Sequence, residues 1–103
     1  MVIAETAYPW IAQTFGNDVL DISSARLPGF TYSAEGQREY VMAVKEILLR
    51  QPANRGIGLW WWEGLAVVVR AQDGTILWNG GMANSALINR KGRALPALKA
   101  LGE

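Results

Sequence analysis

Gly56-Ile57-Gly58-Leu59-Trp60-Trp61-Trp62-Glu63-Gly64 is an apolar and aromatic run, punctuated by glycines, that ends on a single carboxylate. A run of this length between turn signals reads as a strand, residues 57–63, buried on both faces. Such strands belong to parallel sheets covered by helices. A carboxylate at the C-terminal end of such a strand lies where open α/β sheets and β/α barrels keep their chemistry. Glu63 is therefore the first candidate for a working residue. The plainer alternative is a solvated Glu just past a strand end. The pleat puts Leu59, Trp61 and Glu63 on one face, expected to point into a barrel or cleft, and Trp60 and Trp62 on the other.

Upstream, Pro52-Ala53-Asn54-Arg55-Gly56 is a short loop, and before it comes a helix pattern. Ser33 can cap that helix, and Glu35 suits the positive end of its macrodipole. Tyr40, Val41, Val44, Ile47 and Leu48 recur with helical spacing, while charged residues occupy much of the other face. The helix should stop near Gln51, before Pro52. Every residue in it is read as packing or solvation. Farther back, residues 11–31 show no period and hold turn signals at Gly16-Asn17-Asp18 and Leu27-Pro28-Gly29, so they read as a loop of about 20 residues. Val2-Ile3-Ala4-Glu5-Thr6 is a short apolar strand with a carboxylate near its end, and Pro9 stops it. A strand with almost no lead-in suggests a start inside something larger. The order strand, loop, helix, strand makes a βαβ unit with parallel strands and a right-handed crossover.

Downstream, residues 65–69 and 75–78 are β-prone, with Gln72-Asp73-Gly74 as the hairpin turn between them. Asn79-Gly80-Gly81 breaks the chain. Residues 85–89 could form one more strand, Arg90-Lys91-Gly92 a turn, and residues 95–101 a closing helix with Pro96 in its first turn.

The 103 residues suffice for one small domain. Half are hydrophobic and 18% charged, much apolar material for a chain with so high a surface-to-volume ratio. The excess points to apolar surface buried against another chain, and a homo-oligomer is expected. A net charge of +1 without a basic run gives no footprint for nucleic acid. The absence of Cys and His excludes disulfides, thiolate or imidazole metal sites and His-based triads. No metal or cofactor is expected, and acid–base chemistry must come from Asp, Glu, Tyr, Lys or water. No apolar run reaches the roughly 20 residues of a membrane helix, so no membrane partner is expected. The N-terminus lacks the basic region of a signal peptide.

Glu5 and Glu63 end two strands that should be parallel, and as neighbours they would share one rim. Paired carboxylates at a rim are what glycoside hydrolysis requires: one protonates the leaving oxygen, the other attacks the anomeric carbon or activates water. Trp10, Trp61, Trp62 and Trp78 fall near the same rim, and flat indoles suit the C–H face of a sugar ring. Core packing is the alternative for each, and is the preferred reading for Trp60. Tyr8 could orient a carboxylate or pack. Asn79 and Asn84 could bind hydroxyls or form turns.

Ala4-Glu5-Thr6-Ala7-Tyr8-Pro9-Trp10, Ser33-Ala34-Glu35-Gly36-Gln37, the run from Gly56 to Glu63, and residues 86–98 (ALINRKGRALPAL) stand in the order found in glycoside hydrolase family 53, the endo-β-1,4-galactanases, whose C-terminal part they resemble. Residues 65–81 depart from that pattern: the family has Trp-Glu-Pro where this chain has Gly64 and a hairpin-like insert. The resemblance implies a partial (β/α)8 barrel of about three parallel strands, with residues 2–6 as the sixth strand, the Glu63 strand as the seventh and residues 85–89 as the eighth. It implies retaining catalysis with Glu63 as nucleophile on a carbohydrate substrate, in a family that is usually secreted. The family's acid/base ends the fourth strand, which these residues do not include. Three strands cannot close a barrel, so completion by self-association is expected, with Glu5 as replacement acid/base. The competing expectation is a non-catalytic oligomeric barrel fragment that at most binds sugar.

Overall fold

The computed structural model describes residues 2–13, 29–65, 68–79 and 81–103, without the side chains of residue 68 and residues 76–79. The expected loop is thus described only at its two ends; residues 14–28 lie outside.

β1 (Val2–Thr6) and β2 (Gly58–Trp61) pair in parallel, joined through helix α1 (Ala34–Leu49). The βαβ order read from the sequence is the observed one. Ser33 caps α1 as expected: its backbone is extended and its Oγ accepts from the Gly36 amide at 3.0 Å. The cap satisfies one of the donors that a helix start leaves without a partner. The helix ends at Leu49, with Arg50 as C-cap, ahead of Pro52 in a short 3₁₀ turn (Pro52–Asn54). Gly56 is needed there, because a Cβ would sit 1.9 Å from the Leu48 carbonyl oxygen.

A second sheet, β3 (Val68–Arg70) antiparallel to β4 (Ile76–Asn79), is the expected hairpin shifted by a few residues. Its turn closes through Gly74 N–H to Ala71 O at 3.0 Å, with Gly74 at φ +89°. α2 (Pro96–Gly102) closes the chain with Pro96 in its first turn. The core lies where α1, α2 and β2 meet: Val41, Leu87, Ala97 and Ala100 are buried together, with Trp61 and Leu101 packed on them.

Three expectations are corrected. The strand at residues 57–63 is shorter, Gly58–Trp61, and is not buried on both faces: Trp60 is 73% exposed and Ile57 75%. Among the described residues, helices cover only one face of this two-stranded sheet, and the exposed Trp60 does not take the core position expected of it. Trp61, expected to point into a barrel or cleft, instead packs on the helix: its ring meets Tyr40 of α1 edge-on at 6.2 Å. Residues 85–89 form no third parallel strand. They run from a 3₁₀ turn (Ala83–Ser85) to an antiparallel bridge between Ile88 and Ala94. Side-chain donors take the carbonyls of Ser85 and Ala86, and single backbone bonds to Gly64, Arg93 and Leu95, not a strand ladder, serve Leu87 and Asn89.

Candidate active site

The rim is built where β1 and β2 end. Val2 pairs with Gly58 and Ile3 with Leu59, but Thr6 pairs with Trp61. β1 therefore spends three steps where β2 spends two, and the extra residue makes a bulge at Ala4-Glu5. Glu5 takes up the irregularity with φ +63°. Just past the pairing, the Trp62 amide donates to Thr6 O at 2.8 Å. The next residue, Glu63, has φ +52° in the turn that leaves β2. A side chain at positive φ crowds its own backbone, so such residues persist only where their surroundings hold them. Among the described residues the other non-glycine positions at positive φ are Ala53 and Asn54, side by side in the 3₁₀ turn. Glu5 and Glu63 are both exposed, each next to a partner in the Thr6–Trp62 bond. The fold thus brings the two candidate carboxylates to adjoining strand ends.

The remaining candidates divide by packing. Tyr8 is 5% exposed; its ring stacks on Tyr40 at 4.8 Å and its hydroxyl donates to Phe30 O at 2.9 Å. Asn84 is fully buried, and Ser85 Oγ donates to its Oδ1 at 3.1 Å. Trp61 is half-buried and donates its indole N–H to Ser85 O at 2.8 Å. Trp10, also half-buried, donates from its indole to Ala83 O at 2.9 Å and from its backbone to Asn84 O at 2.8 Å. Trp10 and Trp61 thus act first as struts that hold the segment behind Glu63, while Tyr8 and Asn84 are packed inside. Trp62 keeps 44% of its surface in solvent, beside Glu63. Trp78 belongs to β4, and its side chain lies outside the described residues.

Behind the rim, the Leu87 amide donates to Gly64 O at 2.7 Å and fixes the turn that carries Glu63. A Cβ on Gly64 would sit 3.0 Å from Leu87 Cδ1, so the Leu87 side chain occupies the space that the glycine leaves. Sequence reasoning missed Gln37, which is fully buried and donates to the carbonyls of Tyr8 and Ala86 at 3.0 and 2.9 Å. The available signal was a polar residue four before Val41 on the apolar stripe. Among the described residues no group of three or more acidic, His or Cys side chains could hold a metal, and no helix is long and apolar enough to cross a membrane. A groove of about 280 Å³ opens instead at the start of β2, lined by Lys45, Leu48, Leu49, Ile57 and Leu101 among others.

Two parallel strands joined through a covering helix, with carboxylates at their C-terminal ends, make a βαβ unit of the kind from which β/α barrels are built. Residues 1–101 match the family model of glycosyl hydrolase family 53, and the chain belongs to that family. It is 30% identical over 101 residues to an uncharacterized protein in the bgaB 5′ region of Niallia circulans, covering 96% of this chain and 27% of that protein. Its fold matches an Ignisphaera aggregans GH53 catalytic domain with a TM-score of 0.75 at 24% identity, over 97% of this chain and 29% of that one. The chain thus spans a little over a quarter of the length of either.

Proposed function

We propose that the protein hydrolyses β-glycosidic bonds of the β-galactoside, β-glucoside or β-1,4-galactan type with retention, Glu63 acting as nucleophile and Glu5 as acid/base. The observation that carries this reading is the rim itself: both carboxylates occupy left-handed backbone at adjoining strand ends, one residue on either side of the Thr6–Trp62 bond. Unrelieved backbone strain concentrates at functional sites. Family membership supports the reaction class.

In the first step Glu63 attacks the anomeric carbon while Glu5 gives its proton to the leaving oxygen. The C–O bond breaks and a glycosyl ester forms on Glu63. Water then attacks the same carbon, Glu5 takes its proton, and Glu63 leaves as carboxylate. A retaining pair needs its carboxyl groups about 5–5.5 Å apart. Trp62 is the exposed indole nearest Glu63 in sequence and offers a face to the sugar, with Trp10 and Trp78 as further candidates.

The same reading includes self-association. β1 and β2 pair only with each other among the described residues, and free edges with exposed apolar side chains favour a second copy. The alternative is a non-catalytic assembly that at most binds carbohydrate. Hydrolysis of aryl β-D-glycosides by wild type and Glu63→Gln, purified identically, separates the two. Activity that disappears with Glu63→Gln supports the glycosidase. Activity equal in both, or absent from wild type, rules out this role for Glu63.

A further inference from the structure

Gln37 has no exposed surface and shares its helix face with Val41 and Leu48. A buried amide must find partners for its polar atoms. Its Nε2 lies within hydrogen-bond distance of three backbone carbonyls, those of Ala86 at 2.9 Å, Tyr8 at 3.0 Å and Ser85 at 3.3 Å. Two hydrogens serve three acceptors. Turning the amide over would aim Oε1 at the same three oxygens, so the surroundings assign its orientation. Oε1 is left buried without a hydrogen bond. Bare buried acceptors are rare, and here the bare oxygen accompanies donors fixed on the three carbonyls.

Those carbonyls lie on the segment that follows Glu5 and on the segment that backs Glu63. Tyr8 stands three residues past Glu5. Ser85 and Ala86 lead into Leu87, whose amide holds Gly64 next to Glu63. The carbonyls of residues 83–86 are taken in turn by the Trp10 indole, the Trp10 amide, the Trp61 indole together with Gln37, and Gln37. Where a barrel strand would set spacing through its ladder, this segment depends on donors reaching it from other elements.

We propose that Gln37 is a positioning residue: its amide sets the spacing between the segment that follows Glu5 and the segment that backs Glu63. It touches no substrate. The inference rests on Glu5 and Glu63 as the reacting pair. Geometry matters at this scale, since a displacement of about 1 Å can cost roughly 100-fold in rate.

Two substitutions and two readouts test it. Gln37→Met keeps the length of the side chain and removes both donors. Gln37→Glu keeps the shape; its acid form donates one hydrogen bond, and its ionised form faces carbonyl oxygens with none. Turnover of an aryl β-D-glycoside is followed across pH, together with the indole ¹H–¹⁵N resonances of Trp10 and Trp61. Gln37→Met is expected to lower kcat by about 10- to 100-fold with little change in KM, and to move both indole resonances. Gln37→Glu is expected to regain kcat relative to wild type as pH falls, which Gln37→Met does not. Wild-type kcat and unmoved indoles in Gln37→Met overturn the proposal. So does a Gln37→Glu profile parallel to wild type, which also decides the matter if Gln37→Met fails to fold. If wild type turns over no glycoside, the catalytic reading fails by itself. The indoles then decide for the spacing, supporting it by moving and overturning it by staying in place.

Discussion

At Glu63 the backbone and the side chain make opposite demands. Its φ of +52° suits glycine, and the carboxylate is what the proposed chemistry uses. Glu63→Gly should therefore abolish turnover yet raise the thermal midpoint by several degrees, from about 1 kcal/mol of relieved strain. Glu63→Gln should abolish turnover and leave the midpoint where it was, because it keeps the Cβ. Thermal unfolding of the two variants beside wild type checks this, and a midpoint lowered by the glycine would count against strain at this position. Gly56 poses the reverse case. Its missing Cβ leaves room for the Leu48 carbonyl, so Gly56→Ala should destabilise the fold by about 1–3 kcal/mol. Glu63 could be singled out from the sequence because a carboxylate closing an aromatic run is unusual. The left-handed backbone under it could not, because φ at a non-glycine residue follows from how neighbouring segments meet.

The elements divide by how local their causes are. α1 runs within two residues of its expected end because its cap, its stripe and Pro52 are all encoded within a few positions. Ser33→Ala should cost about 1 kcal/mol, read as a lower thermal midpoint. The hairpin turn was equally legible. Asp73 Oδ1 accepts from the Thr75 amide at 2.9 Å, and that bond holds the exposed Asp73 carboxyl below its ordinary value of 3.8. A carboxyl depressed in the folded state stabilises it at pH above its ordinary value, and the contribution fades as pH falls through the folded value. Thr75 amide exchange should therefore accelerate in acid, beyond the trend of neighbouring amides, and Asp73→Ala should remove that excess. The segment at residues 85–89 was misread because Ala-Leu-Ile suits a strand, whereas a strand also requires a partner edge. Here the donors to its first two carbonyls come from Gln37 and Trp61, which are distant in sequence.

Taken whole, the molecule is elongated, 55 × 25 × 19 Å, with a Cα radius of gyration of 14.6 Å; a compact chain of this length would have about 13 Å. Exposed Val2, Ile47, Leu49, Ile57 and Trp60 add apolar surface to it. We expect light scattering to give a mass above that of one 11.3 kDa chain, falling toward the single-chain value in Trp60→Lys. A monomer for wild type across the concentration range would overturn the association.

The sequence by itself determined the βαβ order, the parallel pairing, the capped helix, the hairpin turn and the family. Each of these rests on patterns a few residues long, on short-range sterics or on motifs that survive as strings. Only the tertiary structure decided which face of β2 the helices cover, that Trp60 lies outside the core, and that β1 bulges at Glu5. It also decided that the carbonyls of residues 83–86 are held by Trp10, Gln37 and Trp61, from elsewhere in the chain. These outcomes depend on what meets the strand from elsewhere in the chain. A three-tryptophan run is equally apolar on both faces, so nothing within it could say which face would be covered.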